Sequence, residues 1–241
     1  MEKELEQLLC QSAERIGVHL APDQLKSFGT YMDLLLEWNE KMNLTAITEP
    51  EEVVQKHFVD CLTLLPYLPK ETGLRVIDVG TGAGFPGLPV KIARPDLQVT
   101  LLDSLQKRIT FLETVIAQLS LREIRCIHAR AEDGGRDSSL RDGFDCCVSR
   151  AVARMSVLAE YCLPFVKPGG LLIALKGPEA QEEVEEGKKA IAALGAKVEA
   201  VHQVEVPFTD LHHTLVLVRK EKPTPKRFPR KAGKAAKEPI V

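Results

Sequence analysis

Arg75-Val-Ile-Asp-Val-Gly-Thr-Gly-Ala-Gly-Phe-Pro-Gly87 is the stretch that decides the fold of this chain. It begins as a short apolar strand in which Asp78 is the one acid, and Gly80, Gly82 and Gly84 follow at alternate positions. Glycine permits the backbone angles of a tight turn and lets a ligand approach the main chain closely. The pattern therefore predicts a nucleotide-type site at the carboxyl end of a central parallel strand.

The spacing of the glycines indicates which nucleotide binds there. A dinucleotide-binding loop of the form G-x-G-x-x-G/A needs a small sixth residue, so that helix and strand pack closely. Counted from Gly80, that position is Phe85, which disfavours NAD. The run from Asp78 to Gly84 instead resembles the first motif of class I S-adenosylmethionine (AdoMet) methyltransferases, which implies AdoMet as the cofactor. A glycine-rich loop alone is a weak signal, so the rest of the chain has to support it.

The composition is that of an ordinary globular protein. The chain has 241 residues, of which 44% are hydrophobic and 27% charged. No apolar run approaches the ~20 residues of a membrane span, and the acidic N-terminus lacks the apolar core of a signal peptide. The six cysteines have no C-x-x-C spacing, which favours buried thiols over disulfides or zinc. We expect a cytoplasmic protein with no metal site and no membrane contact.

The net charge of −2 is unevenly distributed. Residues 220–241 carry eight cations and two anions, a balance of +6, so the remainder of the chain carries −8. A basic end on an acidic body suggests a polyanionic partner. We interpret residues 221–241 as an extended basic tail that contacts RNA, with Phe228 available for stacking on a base. A merely solubilising tail is the alternative. On the RNA-binding interpretation, deletion of residues 222–241 should weaken RNA binding and leave AdoMet binding intact.

The pattern of elements changes near residue 73. Residues 1–72 are predicted to form a helical extension, with a second helix opening at Pro22 and a third behind a capping box at Thr48 to Glu51. Residues 73–220 alternate strands and helices, which predicts a mostly parallel sheet covered on both faces. The connection between the last two of seven strands is too short for a parallel crossover, so one of them runs antiparallel. This α/β, Rossmann-like arrangement resembles that of class I methyltransferases.

Two further positions fit an AdoMet site. Asp103 ends the second strand, 23 positions after Gly80, where a carboxylate can accept hydrogen bonds from ribose hydroxyls. The alternative is a helix N-cap, which Asp also favours. Ala131-Glu132-Asp133 follows the third strand, where adenine is expected, although a solvated acidic turn would look the same.

The segment after the fourth strand, Ser149-Arg150-Ala151-Val152, narrows the chemistry. It lacks the Asn/Asp-Pro-Pro-Tyr/Phe sequence that methyltransferases of exocyclic amines share, and no Pro-Cys pair offers a covalent nucleophile. Cys146 and Cys147 lie on the strand itself and suit the core. The target atom should therefore already own a free lone pair and need no base. Guanine N7, an acceptor, fits that requirement. The missing motifs exclude amine and covalent pyrimidine chemistry, and guanine is one target that remains.

Motifs spread over nearly the whole chain resemble the RsmG, or glucose-inhibited division protein B, family of bacterial 16S rRNA guanine-N7 methyltransferases. The segments that carry the resemblance are Trp38-Asn-x-x-x-Asn-Leu-Thr45, His57-Phe-Val-Asp-Cys-Leu62, Asp78 to Gly87, Ser149 to Ala151, Lys176-Gly177 and Pro225 to Gly233. The resemblance implies AdoMet contacts at Gly80, Phe85, Ala131, Glu132 and Arg150. Cys61 departs from the pattern, where a serine is expected, and cysteine is similar in size. The full predicted cofactor-binding set is Asp78, Gly80, Gly82, Gly84, Phe85, Asp103, Ser104, Ala131, Glu132 and Arg150.

No residue is identified with certainty as catalytic. Candidates for positioning the substrate are Arg150, Lys176, Asn39, Asn43 and His57. Each has a plainer interpretation: a surface ion pair for Arg150, a solvated lysine for Lys176, turn and cap residues for the asparagines, and a packed imidazole for His57. The acids at the start of the helix after Lys176 are expected to complement the helix N-terminus and face water, namely Glu179, Glu182, Glu183, Glu185 and Glu186.

The predicted partner is 16S rRNA or the small ribosomal subunit, bound by a monomer. Guanine N7 in duplex RNA lies in a groove that side chains cannot reach, so the target should be unpaired. Three other functions stay open on the sequence: a class I methyltransferase of a small molecule or protein, an NAD-dependent oxidoreductase, and a non-catalytic RNA-binding assembly factor. The glycine loop and Asp103 argue against the last.

Overall fold

A seven-stranded sheet forms the centre of the computed structural model, which describes residues 1–241. The seven predicted strands are present: β1 Arg75–Val79, β2 Gln98–Asp103, β3 Ile124–His128, β4 Phe144–Arg150, β5 Val166–Lys176, β6 Ala196–Glu205 and β7 His212–Lys220. Their spatial order is β3-β2-β1-β4-β5-β7-β6. The order reverses beside β1, so the glycine loop that follows β1 lies at the switch point where α/β sheets bind ligands.

The first five strands in this order are parallel, and β7 pairs antiparallel with both β5 and β6. The predicted terminal hairpin is therefore confirmed, as is the seven-stranded Rossmann-like class. Neighbouring residues of β1 face opposite sides of the sheet. Val76 belongs to one hydrophobic cluster of 37 residues and Ile77 to a second of 24, so both faces are covered.

Helices cover the two faces. On one side α1 Lys3–Arg15 and α2 Pro22–Met42 join the cluster that contains Val76, together with helices from the sheet region. The remaining helices are α3 Pro50–Val53, α4 Asp60–Leu62, α5 Gly87–Ala93, α6 Gln106–Gln118, α7 Ala131–Gly134, α8 Met155–Cys162, α9 Ala180–Ala193 and α10 Lys234–Lys237. The division at residues 72 and 220 stays an interpretation of the sequence, because the first 72 residues share their core with the sheet.

The third helical segment differs from the prediction. The capping box at Thr48 does not form, since Glu49 is the N-cap of α3 and no side chain caps the helix. A π-helical turn, Val54–Val59, separates α3 from α4. Such wide turns are rare and often occur at functional sites. This one carries His57 and leads directly into Asp60.

The C-terminal segment, residues 221–241, is packed rather than extended, so that prediction is wrong. Phe228 is 5% exposed and belongs to the core cluster that contains Ile77, which rules out its proposed stacking on RNA. Arg141 donates hydrogen bonds to the carbonyls of Thr224 (2.7 Å) and Phe228 (2.8 Å). Arg230 pairs at 2.7 Å with Glu160, whose side chain is fully buried. Composition alone could not reveal these partners.

No helix is both long and apolar enough to cross a bilayer. No group of three or more His, Cys, Asp and Glu side chains converges as metal ligands would. All six cysteines are free thiols, and four of them are buried.

Candidate active site

The glycine loop is held from below by the carboxylate of Asp78. This side chain is fully buried, and its Oδ2 accepts hydrogen bonds from Thr81 Oγ1 (2.7 Å) and the Gly87 amide (2.8 Å). Its Oδ1 has no partner. Burial raises the pKa of Asp78 to about 7, against the two hydrogen bonds, which lower it. Asp78 thus ties the two ends of the loop together, and its predicted role in binding the cofactor would be indirect.

The three glycines of the loop have positive φ angles and different surroundings. A Cβ on Gly80 would lie 2.7 Å from Val152 Cγ2, and one on Gly84 would lie 2.8 Å from the Tyr31 hydroxyl. These two glycines are required by close packing. Gly82, at φ +60°, has no other atom within 4 Å of the Cβ position, so its face is open to a ligand.

Asp103 lies where β2 ends, facing the loop. Its Oδ2 accepts hydrogen bonds from the Gly82 amide (2.9 Å) and Arg108 (3.3 Å), and its Oδ1 accepts one from the Leu105 amide (2.9 Å). The last bond forms a turn before α6, whose N-cap is Leu105, so Asp103 is not the helix N-cap of the alternative interpretation. A carboxylate has about four acceptor positions, so capacity for a ligand hydroxyl remains. Arg108 is partly exposed and can move aside.

A cavity of about 480 Å³ opens beside these residues. We call it the cofactor cavity. Its walls include half of the predicted cofactor-binding set, namely Gly80, Asp103, Ser104, Ala131 and Glu132. Asp78, Gly82, Gly84, Phe85 and Arg150 are not among its lining residues. The volume suits a nucleoside-sized ligand, and the open face of Gly82 together with a carboxylate at the end of β2 fits AdoMet.

The C-terminal segment completes this cavity, which the sequence did not predict. The Gly233 amide donates a 2.7 Å hydrogen bond to Glu132 Oε1, and both Gly233 and Ala236 line the wall. Glu132 itself is 5% exposed, so it is not the solvated acid of the alternative interpretation. The signal available in the sequence was the Pro225 to Gly233 motif, which was attributed to RNA.

Arg150 stands at the end of β4 against an aromatic stack. Its guanidinium carbon lies 4.7 Å from the centre of the Phe85 ring, and the His57 ring packs on Phe85 at 4.4 Å. Arg150 also lies 3.1 Å from His57 Nδ1 and donates to the Lys56 carbonyl. Burial, and then the charge of Arg150, lowers the pKa of His57 to about 4. The imidazole is therefore neutral at physiological pH and can accept from the guanidinium.

Two residues of this cluster, Asp60 and His213, were missed by the sequence analysis. Asp60 Oδ2 lies 2.8 Å from Arg150 Nη1, and Asp60 Oδ1 lies 2.7 Å from His213 Nδ1. Burial raises the pKa of Asp60, and the contacts with His213 and Arg150 outweigh it, so the pKa lies below its ordinary value. An acid among the apolar residues of Val53 to Leu65 was the available signal for Asp60. Nothing in the sequence pointed to His213.

A second cavity, of about 430 Å³, lies on the other side of the segment that follows β4. We call it the acceptor cavity. Ala151 and Val152 line both cavities, so the two spaces share a wall. The charged and polar side chains of the acceptor cavity are Asp60, Arg150, Lys176, Glu183 and His213. A group held in one cavity therefore lies next to a group held in the other.

Lys176 is neither solvated nor free. It is 9% exposed, donates to the Ala153 carbonyl (2.7 Å) and pairs with Glu183 (2.6 Å). Glu183 is 9% exposed, so the expectation that it faces water is wrong, whereas Glu179, Glu182, Glu185 and Glu186 are exposed. The Lys176–Glu183 pair contributes both a donor and an acceptor to the wall of the acceptor cavity.

Asn39 and Asn43 have the structural roles of the plainer interpretation. Asn43 ends α2 in a left-handed conformation, and Asn39 Oδ1 accepts a 2.8 Å hydrogen bond from the Thr45 amide. Thr45 Oγ1 in turn lies 2.8 Å from His57 Nε2. The asparagine motif thus reaches the site through Thr45 and His57, and neither asparagine lines the cavities.

Comparison with known proteins identifies the relatives of this chain. The family described as GidB, rRNA small subunit methyltransferase G, matches residues 24–212. The chain is similar to "Ribosomal RNA small subunit methyltransferase G" of Clostridium perfringens (strain 13 / Type A), with 52% identity over 97% of this chain and 98% of that protein. It is also similar to the protein of the same name from Acetivibrio thermocellus, with 49% identity over 100% of this chain and 98% of that protein.

Solved structures of low sequence identity share the fold alone. TrmN from Thermus thermophilus superposes with a TM-score of 0.52 at 16% identity, over 69% of this chain and 53% of that one. The Methanococcus jannaschii fibrillarin pre-rRNA processing protein superposes with a TM-score of 0.50 at 18% identity, over 64% of this chain and 70% of that one.

Proposed function

Because this chain belongs to the rRNA small subunit methyltransferase G family, we propose that it transfers a methyl group from AdoMet to N7 of a guanosine in 16S rRNA. The observation that carries the proposal is the 49% to 52% identity, over nearly the whole chain, with relatives named ribosomal RNA small subunit methyltransferase G. The two cavities that share the Ala151–Val152 wall support it, because methyl transfer needs donor and acceptor side by side.

The residues around the cofactor cavity would hold AdoMet. Asp103 would accept hydrogen bonds from the ribose hydroxyls, and Ala131 and Glu132 would contact the adenine. The open face of Gly82 would let the cofactor approach the main chain. When bound, AdoMet supplies an electrophilic methyl group on its sulfonium. Phe85 and Arg150 would act from behind the loop, since neither lines this cavity.

The chemistry asks the protein for alignment rather than proton transfer. Guanine N7 carries a lone pair and no proton, so attack on the methyl group leaves nothing for a general base to remove. Holding the two reactants in line can lower the barrier by up to about 7–11 kcal/mol. Arg150, buried between Asp60, His57 and Phe85, would give the acceptor cavity a fixed positive wall.

The RNA must present an unpaired guanosine, because a base inside a duplex cannot enter the acceptor cavity. Part of the cationic charge of the C-terminal segment remains available to phosphates, since Lys226, Lys231 and Lys237 are exposed and make no ion pair. We infer that the enzyme acts as a monomer on 16S rRNA or on the small ribosomal subunit. An rRNA substrate would place this activity in the cytoplasm.

Nucleoside mass spectrometry tests the proposal. Purified protein and AdoMet, incubated with unmodified 16S rRNA and separately with 30S subunits, should produce 7-methylguanosine, and the more active substrate identifies the natural partner. A methyl group found on another atom, on a ribosomal protein, or nowhere would contradict the proposal. Calorimetric titration should detect binding of AdoMet and not of NAD, which separates the enzyme from an oxidoreductase and from a factor without a cofactor.

A further inference from the structure

We propose that Lys176 and Glu183 read the Watson–Crick edge of the target guanine in the acceptor cavity, an inference that rests on the proposed function. Lys176 Nζ would donate to O6, and Glu183 Oε1 would accept from the exocyclic amine at N2. An enzyme specific for guanine also needs residues that distinguish guanine from adenine. That task is separate from methyl transfer, because both purines carry an N7 acceptor.

The two side chains are held in place with hydrogen-bonding capacity to spare. Lys176 Nζ has two partners, the Ala153 carbonyl (2.7 Å) and Glu183 Oε2 (2.6 Å), so one of its three donor positions is unused. Glu183 Oε2 also accepts from the Met155 amide (3.0 Å). Glu183 Oε1 accepts no hydrogen bond, and it is not among the fully buried unpaired atoms. One donor and one acceptor therefore remain for a ligand.

The order of these groups matches guanine. Along its edge guanine presents the O6 acceptor, then the N1–H donor, then the N2 amine donor. Lys176 Nζ offers a donor for O6 and Glu183 Oε1 offers an acceptor for the N2 amine, while Glu183 Oε2 is already occupied by Lys176 and the Met155 amide. Adenine presents its amine donor where guanine has O6, so it would face Lys176 donor against donor. A site whose buried polar groups are left unpaired by the wrong ligand rejects that ligand strongly.

Asp60, the other acid in this cavity, is not free to read a base. Its Oδ2 is bonded to Arg150 (2.8 Å) and its Oδ1 contacts His213 Nδ1 (2.7 Å). Both oxygens already face a partner, and both partners come from the protein. Asp60 therefore positions Arg150, whereas Glu183 Oε1 has neither a hydrogen-bond partner nor an ion-pair partner.

The position of the pair relative to the cofactor cavity is also suitable. Lys176 and Glu183 line the acceptor cavity and not the cofactor cavity, whereas Ala151 and Val152 line both. A purine has N7 on its Hoogsteen edge and N1 and N2 on its Watson–Crick edge. A guanine whose Watson–Crick edge is held by the pair can therefore turn N7 away from the pair, towards the shared wall.

The test is a double-mutant cycle between Glu183 and the N2 amine. The probes are 16S rRNA carrying guanosine, or inosine, at the methylated position, because inosine keeps N7, O6 and N1–H and lacks the amine. We expect the wild-type enzyme to prefer guanosine by about tenfold in kcat/KM, the value of one hydrogen bond to a charged group. In Glu183→Gln the amide nitrogen would replace Oε1, so the preference should fall below about threefold. Glu185→Gln, at an exposed position of the same helix, should keep the wild-type ratio.

The outcomes separate the two proposals. If the wild-type enzyme makes no N7-methylated base on either RNA, the proposed function fails. If it methylates the guanosine and inosine RNAs equally, the proposed contact of Glu183 with the N2 amine is wrong, while the proposed function stands. This comparison uses the wild-type enzyme alone. A structural role for Glu183 would lower both rates together and leave the ratio unchanged, which would also overturn the inference. AdoMet binding to Glu183→Gln should stay within about twofold of wild type.

Discussion

Arg150 donates a 2.8 Å hydrogen bond to Asp60, and this pair joins the end of β4 to the helical turn that follows the π-helix. The side chains are each 16% exposed, so water screens the pair only weakly. The N-terminal helices are thereby tied to the sheet at the position where the two cavities meet. The pair has consequences for stability and for the shape of the acceptor cavity.

Removing the charge of Asp60 should be costly. In Asp60→Asn the buried guanidinium keeps its hydrogen-bonding geometry and loses its counter-ion, and breaking such a pair costs about 3 kcal/mol of unfolding free energy. Urea unfolding monitored by circular dichroism measures the loss. Methyl transfer should fall as well, because Arg150 is no longer fixed against Phe85.

The matched control is Glu52→Gln, which removes the same charge from a half-exposed pair with Lys56. Pairs of this kind contribute at most about 0.5 kcal/mol. Equal losses of unfolding free energy for the two variants would show that the pair of Asp60 with Arg150 has no special role.

Gly82→Ala should block the cofactor without unfolding the protein. Gly82 and Gly17 both have positive φ angles, +60° and +75°, and both have empty space at the Cβ position. Alanine in a left-handed conformation costs about 1–2 kcal/mol at either site. Calorimetric titration should therefore detect AdoMet binding weakened at least about tenfold in Gly82→Ala, and unchanged in Gly17→Ala. If AdoMet binding is weakened in both variants, backbone strain alone explains the effect, and Gly82 does not contact the cofactor.

Ala236→Trp tests the contribution of the C-terminal segment to the cofactor cavity. The indole would occupy space that Ala236 leaves open, and AdoMet affinity should drop by at least about tenfold, or about 1.4 kcal/mol. Ala232→Trp places the same ring at an exposed position of the same segment and should bind AdoMet normally. The earlier expectation that deletion of residues 222–241 spares AdoMet binding is replaced by this one. Normal AdoMet affinity in Ala236→Trp would instead support the expectation that the segment can be deleted without loss of AdoMet binding.

Asp78→Asn should change how stability depends on pH. Burial raises the pKa of Asp78 to about 7, above its ordinary value of ~4. Between these values the folded protein binds more protons than the unfolded chain, so this group lowers the unfolding free energy as pH rises. Asparagine keeps an acceptor for Thr81 and Gly87 and removes the titration. Relative to wild type, the variant should gain about 1–3 kcal/mol between pH 5 and pH 8 in urea unfolding. A difference that is constant with pH would contradict the assignment.

The exposed lysines of the C-terminal segment should contribute to RNA affinity through phosphate contacts. The triple variant of Lys226, Lys231 and Lys237 to Gln removes three cations that make no ion pair. If each meets a phosphate of single-stranded RNA, the slope of log K against log salt should become shallower by about 2. Filter binding at several salt concentrations measures the slope.

The control for this experiment changes the same number of charges elsewhere. Lys3, Lys26 and Lys70 are also exposed, and their replacement by Gln should leave the slope as it is in the wild type. Equal slopes for the two triple variants would mean that the segment does not contact the RNA.

The sheet was predictable because each strand carries its own signal, an apolar run of the right length followed by a turn and an amphipathic helix. The location of Asp103 and of the segment after β4 was also predictable, because the carboxyl ends of parallel strands meet at one edge of the sheet. Phe228 was not, because a basic, proline-containing segment looks solvated until its counter-charges are known. The acids that hold this segment are far away in the sequence: Glu132 lies 101 positions from Gly233, and Glu160 lies 70 positions from Arg230.

The acceptor cavity was harder still to predict. Glu183 lies in a run of glutamates that look alike in the sequence. It is buried because it pairs with Lys176, whereas the neighbouring glutamates are exposed. His213 meets Thr63 across 150 positions. Contacts of this kind depend on the register of β7 beside β5, which the amino-acid pattern does not encode locally.

The hydrogen bond from Gly233 to Glu132 bears on the order in which a newly made molecule becomes competent. All seven strands are synthesised before Gly233 and Ala236, so the sheet can fold while the cofactor cavity still lacks a wall. A molecule cut by a protease between β7 and Gly233 would keep its sheet and lose that wall. The proposed AdoMet site is therefore complete only after the segment that follows the sheet has packed against Glu132.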